Sequence, residues 1–443
     1  MSTLMKCAFR FGLALTLSLV FFTTQPVCQT LSSNDREVGK IMLRNVKDTL
    51  KKNYFDPNYK GVDIDAAFKT AEEGINTATS NGQVFGIIQK ALLNLKDSHS
   101  YFLPPPRALK VSYDWQIQMI GDQCYILAVK PDTDAAAKGL KAGDILHVVD
   151  GYKIGRDNFW LFNYLYHALQ PKTQLSLVVQ GPGEQPRRVD YTASTRQAAK
   201  ILDLTSELEF YDYIREAEDE DRVNEHRLQK FGDELYIWKM PQFDLNKEKV
   251  DDLMDKLSKS KTLIIDLRGN GGGYVDTLRA VVSNLFDRDV KIGDKVRRKE
   301  TKTEIAKTRG GKAFGGQLIL LVDNGSGSSS EVLARIVQLE KRGTVIGDVT
   351  AGAVMESRVK RWGLGESSMV MYGVSITESD HLMSDGKSLE HTGVTPDKVM
   401  LPTGADLRAN EDPVLSYAAS LAGVALTPKE AGALFPVRWR VRP

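Results

Sequence analysis

The stretch Asn324-Gly325-Ser326-Gly327-Ser328-Ser329-Ser330-Glu331 follows an apolar run at residues 318–322, with only Asp323 between, and precedes a helix-like stretch at 332–341. A serine at a strand-to-helix junction presents its hydroxyl beside unpaired backbone N–H groups and the positive end of a helix dipole. Those conditions suit a nucleophile for acyl transfer, in which negative charge develops on the substrate oxygen. The same residues also suit a plain helix start, with Ser330 and Glu331 in the first turn, so the cluster alone leaves both readings open.

A second element lies upstream. Lys261-Thr-Leu-Ile-Ile-Asp266-Leu267 reads as a buried strand and runs into Arg268-Gly269-Asn270-Gly271-Gly272-Gly273, which opens a helical stretch at 275–286. Consecutive glycines let a backbone approach a ligand closely. A phosphate cradle would end in Lys-Ser/Thr or keep Gly-x-Gly-x-x-Gly spacing, and neither is present. An oxyanion hole fits better, with the N–H of Gly272 or Gly273 joined by that of Ser329.

Together with Arg342-Gly-Thr-Val-Ile-Gly347 and Glu390-His-Thr-Gly-Val-Thr-Pro-Asp397, these motifs give a sequence that resembles the serine peptidases that include the C-terminal processing proteases and the tricorn-protease core. The resemblance implies a ClpP/crotonase-like α/β catalytic core, no cofactor, and Ser328 as nucleophile, the middle serine of a Ser-x-Ser-x-Ser-Glu pattern. The processing-protease branch pairs that serine with a lysine in a Thr-Phe-Gly-Lys-Gly segment. Here the segment is Thr350-Ala351-Gly352-Ala353-Val354, so Ala353 stands where the lysine would be. A serine hydroxyl needs a proton acceptor at neutral pH. Leu95-Lys-Asp97-Ser98-His99-Ser100-Tyr-Phe-Leu-Pro-Pro is similar to the Ser-His element of the tricorn-type branch. Carried over, His99 is general base and then general acid, with Ser98 and Glu390 orienting its ring, and the implied tetrad is Ser98, His99, Ser328 and Glu390. The remaining histidines, His147, His167, His226, His381 and His391, show no His-x-x-x-His or Cys/His spacing, so no catalytic metal is expected.

These residues need elements to position them. Lys6 and Arg10 precede an apolar run at 11–22 and a polar stretch at 23–33, the layout of a secretory signal over residues 1–30. Export to the periplasm or beyond follows, and no later segment is long or apolar enough for a stable membrane span. Cys7 and Cys28 fall in that leader, leaving Cys124 without an intrachain partner. The net charge of +2 falls to about zero without Lys6 and Arg10, which gives nucleic acid no purchase.

Residues 34–107 are expected to be helical, with Ile41, Leu43, Val46 and Leu50 in one stretch and Phe85, Ile88, Leu92 and Leu95 in another. Over 111–195 short strands at 115–120, 124–129, 145–149 and 175–180 surround Asp134-Ala-Ala-Ala-Lys-Gly-Leu-Lys-Ala-Gly-Asp-Ile-Leu-His-Val-Val-Asp-Gly151, which is similar to the signature of PDZ domains. Such domains take a C-terminal peptide as an added strand, although no clear Gly-Leu-Gly-Phe-like loop precedes 115–120. The mixed-charge run at 216–227 reads as a linker or lid. Over 200–425, strands at 235–240, 262–267, 318–322 and 344–346 alternate with helical stretches at 247–259, 275–286 and 332–340. That alternation argues a mainly parallel α/β core, with both motif loops at its carboxyl edge.

The expected protein is thus a multidomain α+β chain: an N-terminal helical region, a PDZ-like β-rich domain and an α/β catalytic core. Its expected function is that of an exported serine endopeptidase acting on proteins or peptides. The alternative is a non-catalytic ligand- or peptide-binding protein on the same fold, as in interphotoreceptor retinoid-binding protein, to which the missing lysine lends weight. An ester or a specialised peptide bond as substrate is a third reading.

Overall fold

The computed structural model describes residues 31–107, 109–197, 224–364 and 370–439. The segment at 1–30, expected to be a secretory signal, and residues 216–223 of the charged run lie outside the described residues.

The N-terminal region holds α1 (Ser33–Asn53), α2 (Ile64–Thr77) and α3 (Asn81–Leu93), each opened by a side-chain cap from Ser32, Asp63 or Ser80. Met42, Leu43, Val46 and Leu50 of α1 pack on Phe68, Ile75, Ile88 and Leu92. That core is completed by Phe102, Tyr372, Val374 and Ile376, so these helices do not close a core of their own.

The chain continues through β1 (Tyr101–Leu103) and β2 (Leu109–Ser112) into a β-rich middle domain. It comprises β3 (Trp115–Ile120), β4 (Gln123–Val129), α4 (Asp134–Ala137), β5 (Ile145–Val149), β6 (Tyr152–Lys153) and α5 (Phe159–Asn163), which a π turn prolongs to Leu169. β7 (Gln174–Gln180) and β8 (Arg187–Thr192) complete the antiparallel order β3-β4-β5-β7-β8, and β9 (Ser194–Gln197) leaves alongside β2. Met119, Ile126, Leu146, Leu177 and Val179 fill the interior.

The C-terminal half begins with β10 (Arg227–Phe231), β11 (Leu235–Lys239), α6 (Lys247–Leu257), β12 (Thr262–Asp266) and α7 (Val275–Leu285). It continues with β13 (Val290–Arg297), β14 (Thr301–Ala306), β15 (Gln317–Val322), α8 (Ser329–Leu339) and β16 (Thr344–Gly347). Then come β17 (Glu356–Leu364), β18 (Val370–Leu382), β19 (Lys398–Val399), α9 (Gly404–Ala409), α10 (Pro413–Leu421) and α11 (Pro428–Leu434). The main sheet runs β10-β11-β12-β15-β16-β19 and is parallel except for β10. Its central strands read as unbroken apolar runs because both faces are covered. Leu263, Ile265, Leu318 and Leu320 face α6 to α8, while Ile264, Ile319 and Leu321 face Val414, Leu415 and Ala418 of α10. A second sheet, β1-β18-β13-β14 with β17 beside β18, is an addition to the strands expected from the sequence. In it β1 pairs with β18, Phe102 opposite Val374, tying the N-terminal region to the C-terminal half.

Side-chain bonds fasten the middle domain to the C-terminal half. Arg156 meets Asp348 at 2.7 Å, and Asp348 also accepts the Gly121 N–H at 2.9 Å. Arg408 pairs with Asp144 and caps the Ala142 carbonyl at 2.7 Å. Among the described residues no helix is long and apolar enough to cross a membrane.

Candidate active site

β12 and β15 are neighbours in parallel register, Asp266 opposite Leu321, so the glycine loop and the serine loop leave the same sheet edge side by side. Asp323 joins them: its Oδ1 accepts the N–H groups of Gly269 at 2.8 Å and Gly325 at 2.9 Å. Beneath the glycine loop Arg268 grips both Asp266 and Asp412, and despite burial Arg268 and Lys239 hold the Asp266 carboxyl below the usual carboxylate range.

Within the serine loop the hydroxyls are used unequally. Ser326 donates to the Leu267 carbonyl (2.8 Å), Ser330 to that of Asn270 (2.8 Å) and Ser329 to that of Gly273 (3.1 Å). Ser328 sits at φ 49°, ψ −118°, a left-handed backbone for a non-glycine residue, immediately before α8. Such a conformation costs on the order of 1–3 kcal/mol and persists only where the surroundings over-determine it. Here the Ser328 N–H is shared by the Ala353 carbonyl (2.9 Å) and Glu331 Oε2 (3.1 Å), and the Ser328 carbonyl accepts from Glu331 and Val332. Ser328 and Glu331 form a capping box in which the Ser328 hydroxyl oxygen only accepts, the Glu331 N–H being held mainly by the Ser328 carbonyl at 2.9 Å, so the hydroxyl proton is not spent on the helix start. The helix begins at Ser329, three residues before the expected 332, so Ser329 is its first residue. Its N–H then has no intrahelical acceptor.

The glycine loop closes on the same point. A Cβ on Gly272 would lie 2.6 Å from Ser328 Cβ and 3.2 Å from its Oγ, and one on Gly273 would lie 2.4 Å from the Phe243 carbonyl oxygen. Both positions also have φ above +100°, so glycine is required twice over. Of the three amides expected to face an oxyanion, that of Gly272 is committed to Asn270 Oδ1 at 2.9 Å. Asn270 is fully buried and donates to the Met240 carbonyl at 2.9 Å. The backbone bonds that tie Gly272 and Tyr274 to Phe243 leave the Gly273 N–H unused.

Ser98 and His99 lie in the turn between α3 and β1. Ser98 Oγ donates to Glu390 Oε2 at 3.0 Å, the Ser98 N–H donates to Glu390 Oε1 at 2.7 Å, and Ser98 Oγ lies 2.6 Å from His99 Nδ1. A hydroxyl has one proton; with it directed at Glu390, the bond to the ring assigns a proton to Nδ1 and leaves Nε2 as the acceptor. His99 is buried, and burial, opposed by the charges of Asp97 and Glu356, lowers its pKa to about 4. Burial likewise raises the Glu390 carboxyl, opposed by His391 and the Ser98 donors. Asp97 shapes the turn by accepting from the His99 and Ser100 N–H groups (3.1 and 2.7 Å), from Thr377 Oγ1 (2.7 Å) and from the Tyr54 hydroxyl (2.9 Å).

The two groups of residues meet at Thr350–Val354, the segment that carries Ala353 at the lysine position. Ala353 O takes the Ser328 N–H, while the Val354 N–H donates to Glu390 Oε2 at 3.1 Å. Glu331 grips the same segment, with Thr350 Oγ1 (2.6 Å) and the Gly352 N–H (2.7 Å) on Oε1 and the Ala353 N–H (2.8 Å) on Oε2. Burial, opposed by these donors, pushes its carboxyl up to about 7. Glu331 and Asp97 were not singled out from the sequence. Glu331 reads there as an ordinary first-turn carboxylate and Asp97 as one more polar turn residue, and only their place inside motifs pointed to them. Among the described residues no group of three or more His, Cys, Asp or Glu is arranged to hold a metal ion.

Residues 235–400 match the sequence profile of Peptidase family S41. The chloroplastic C-terminal processing peptidase of Tetradesmus obliquus is 24% identical over 352 residues, covering 72% of this chain and 68% of the relative. The carboxy-terminal-processing protease of Bartonella bacilliformis is 25% identical over 294 residues, covering 64% of this chain and 60% of the relative. Among solved structures, mature CPAF superposes with a TM-score of 0.62 at 14% identity, covering 84% of this chain and 94% of that one. The photosystem II D1 C-terminal processing protease gives a TM-score of 0.52 at 19% identity, covering 90% and 99%. The chain thus spans between three fifths and seven tenths of the two curated relatives, and the structures show a shared fold. Profile, relatives and fold agree that residues 235–400 form a Peptidase family S41 domain, and the chain is similar to the C-terminal processing proteases, which are serine-type peptidases.

Proposed function

We propose that this protein is an exported serine endopeptidase that hydrolyses peptide bonds of proteins or peptides through an acyl-enzyme, with a Ser-His-based site in place of a Ser-Lys dyad. Ser328 Oγ attacks the scissile carbonyl while His99 Nε2 takes its proton. The tetrahedral oxyanion is held by the N–H groups of Gly273 and Ser329, with Gly272 shaping the hole through its contact with Ser328. His99 then gives the proton to the leaving amine, and water repeats the sequence to free the acid. Ser98 and Glu390 keep the Nδ1 proton in place and balance the imidazolium as it forms. The leader-like segment 1–30 supports export, and the signature at 134–151 supports a PDZ-like middle domain that takes a C-terminal peptide.

One observation carries the reading. Of four neighbouring serines, Ser328 has the strained backbone and the hydroxyl that donates to no loop carbonyl, and Glu390, which holds Ser98 beside His99, is bonded to the residue next to its Ala353 acceptor. The test is hydrolysis of unfolded casein by the purified chain together with labelling by a serine-reactive phosphonate. Ser328→Ala is expected to abolish both, and casein turnover at the wild-type rate in that variant would sink the proposal. Labelling that survives both Ser328→Ala and His99→Ala would favour a binding protein.

A further inference from the structure

His391 adjoins the relay carboxylate, yet the mechanism above leaves it without a task. Its side chain is 59% exposed, so burial does not explain its place. Its backbone is left-handed, φ 62°, in a turn closed by the Thr392 and Gly393 N–H groups on the Leu389 carbonyl (3.0 and 2.8 Å). From that turn it reaches in two directions. The His391 N–H donates to the Gly352 carbonyl at 2.8 Å, on the segment that holds Ser328. Its imidazole Nε2 lies 2.8 Å from the Lys96 carbonyl, on the turn that holds Ser98 and His99. A carbonyl only accepts, so Nε2 carries a proton and donates.

We infer that His391 is a positioning residue that clasps the His99 turn to the nucleophile's segment, so that its imidazole sets the alignment of His99 with Ser328. This rests on the peptidase reading. Glu390 and His391 act as a pair of adjacent grips from the C-terminal half: Glu390 holds the Ser98 N–H and hydroxyl, and His391 holds the Lys96 carbonyl two residues earlier. Lys60 Nζ also reaches that carbonyl at 3.1 Å, but Lys60 belongs to the N-terminal region itself and so ties nothing across the junction. Gly352 shows how close the junction is, since a Cβ there would lie 3.0 Å from the His391 carbonyl carbon and 3.1 Å from the Thr392 and Gly393 nitrogens. Glu390 Oε1 lies 3.7 Å from the same Nε2, so the 2.8 Å bond to the Lys96 carbonyl carries the clasp.

The experiment compares the wild-type chain with His391→Ala and His391→Gln, whose Nε2 amide can still donate to the Lys96 carbonyl. Casein kinetics and the second-order rate of phosphonate labelling are read for each. His391→Ala is expected to lose about tenfold in kcat and in labelling rate, the scale of one well-placed hydrogen bond, with KM changed by less than about twofold. His391→Gln is expected to recover to within about threefold of wild type. An unchanged kcat in His391→Ala, a change confined to KM, or a glutamine variant as slow as alanine would each overturn the clasp. Ser328→Ala, run alongside, separates the two levels: if it stays active the peptidase reading fails, and if it is dead while His391→Ala is normal only the clasp fails.

Discussion

The serine half of the site grows out of one sheet edge, whereas the histidine half is carried to it by a region that cannot complete its own core. Ser328, Ser329 and the glycine loop all follow adjacent parallel strands, and most of their contacts are backbone bonds within those two loops and the Thr350–Val354 segment. Ser98 and His99 instead depend on a partner 292 residues away, on β1 pairing with β18, and on Phe102 packing against Tyr372 and Val374. The strain at Ser328 is therefore fixed locally, while the position of His99 is a property of how two regions pack. Loss of the first should disturb the fold, and loss of the second should disturb chemistry more than stability.

His99→Ala is the largest test of that contrast. Removing a general base is expected to lower kcat for casein by about 10³–10⁴-fold, with the oxyanion donors sustaining what remains. The denaturation midpoint at neutral pH should fall only by the cost of the cavity a buried ring leaves, with no charge contribution because that ring is neutral there. A kcat loss below about tenfold would break the comparison, since the histidine half would then be ornamental. Glu331→Gln probes the other half. An amide has one acceptor oxygen for four donors and turns its own N–H groups toward the Ala353 and Ser328 amides or the Thr350 and Gly352 donors. The expected cost is about 3 kcal/mol in urea unfolding, the scale of leaving buried donors unsatisfied, and phosphonate labelling of Ser328 should fall with it. Unchanged stability would show that the serine half is less locked than its hydrogen bonds imply.

What the sequence disclosed follows the same division. The strands at 262–267 and 318–322 are visible as continuous apolar runs because helices cover both faces, and the loops they feed share an edge by topology. β17 escaped because its residues Glu356–Leu364 are charged and only half-buried, with no clean alternation to mark a strand. β13, β14 and β18 went with it, although Val374 and Ile376 of β18 hold the N-terminal helices in place. No local pattern could join Ser98 to Glu390; the only pointer was the family resemblance. Nor could spacing choose between Gly272 and Gly273 as donor, since the difference lies in the amide of Asn270, which claims the first and leaves the second.

The smallest expected effect is a cancellation, and it sets the two halves against each other by sign. His99 has its folded pKa lowered from 6.5 to about 4 by burial, so between those values the unfolded chain binds the extra proton and stability falls as pH falls. Glu331 has its folded pKa raised from 4.5 to about 7, so its contribution is fully present below 4.5 and is lost as pH rises toward 7. Over the shared window from 4.5 to 6.5 each slope is about 1.4 kcal/mol per pH unit and the signs are opposite, so these two groups leave the wild-type profile nearly flat. The single variants should tilt it in opposite directions: His99→Ala should be less stable at pH 6.5 than at pH 4.5, and Glu331→Gln more stable, as read from urea midpoints. If instead the wild type is tilted, one variant keeps that tilt and the other is flat, the group missing from the first variant is solvated in the folded chain. The contrast between a locally sealed carboxylate and an imported, buried histidine then fails at whichever residue kept the wild-type slope.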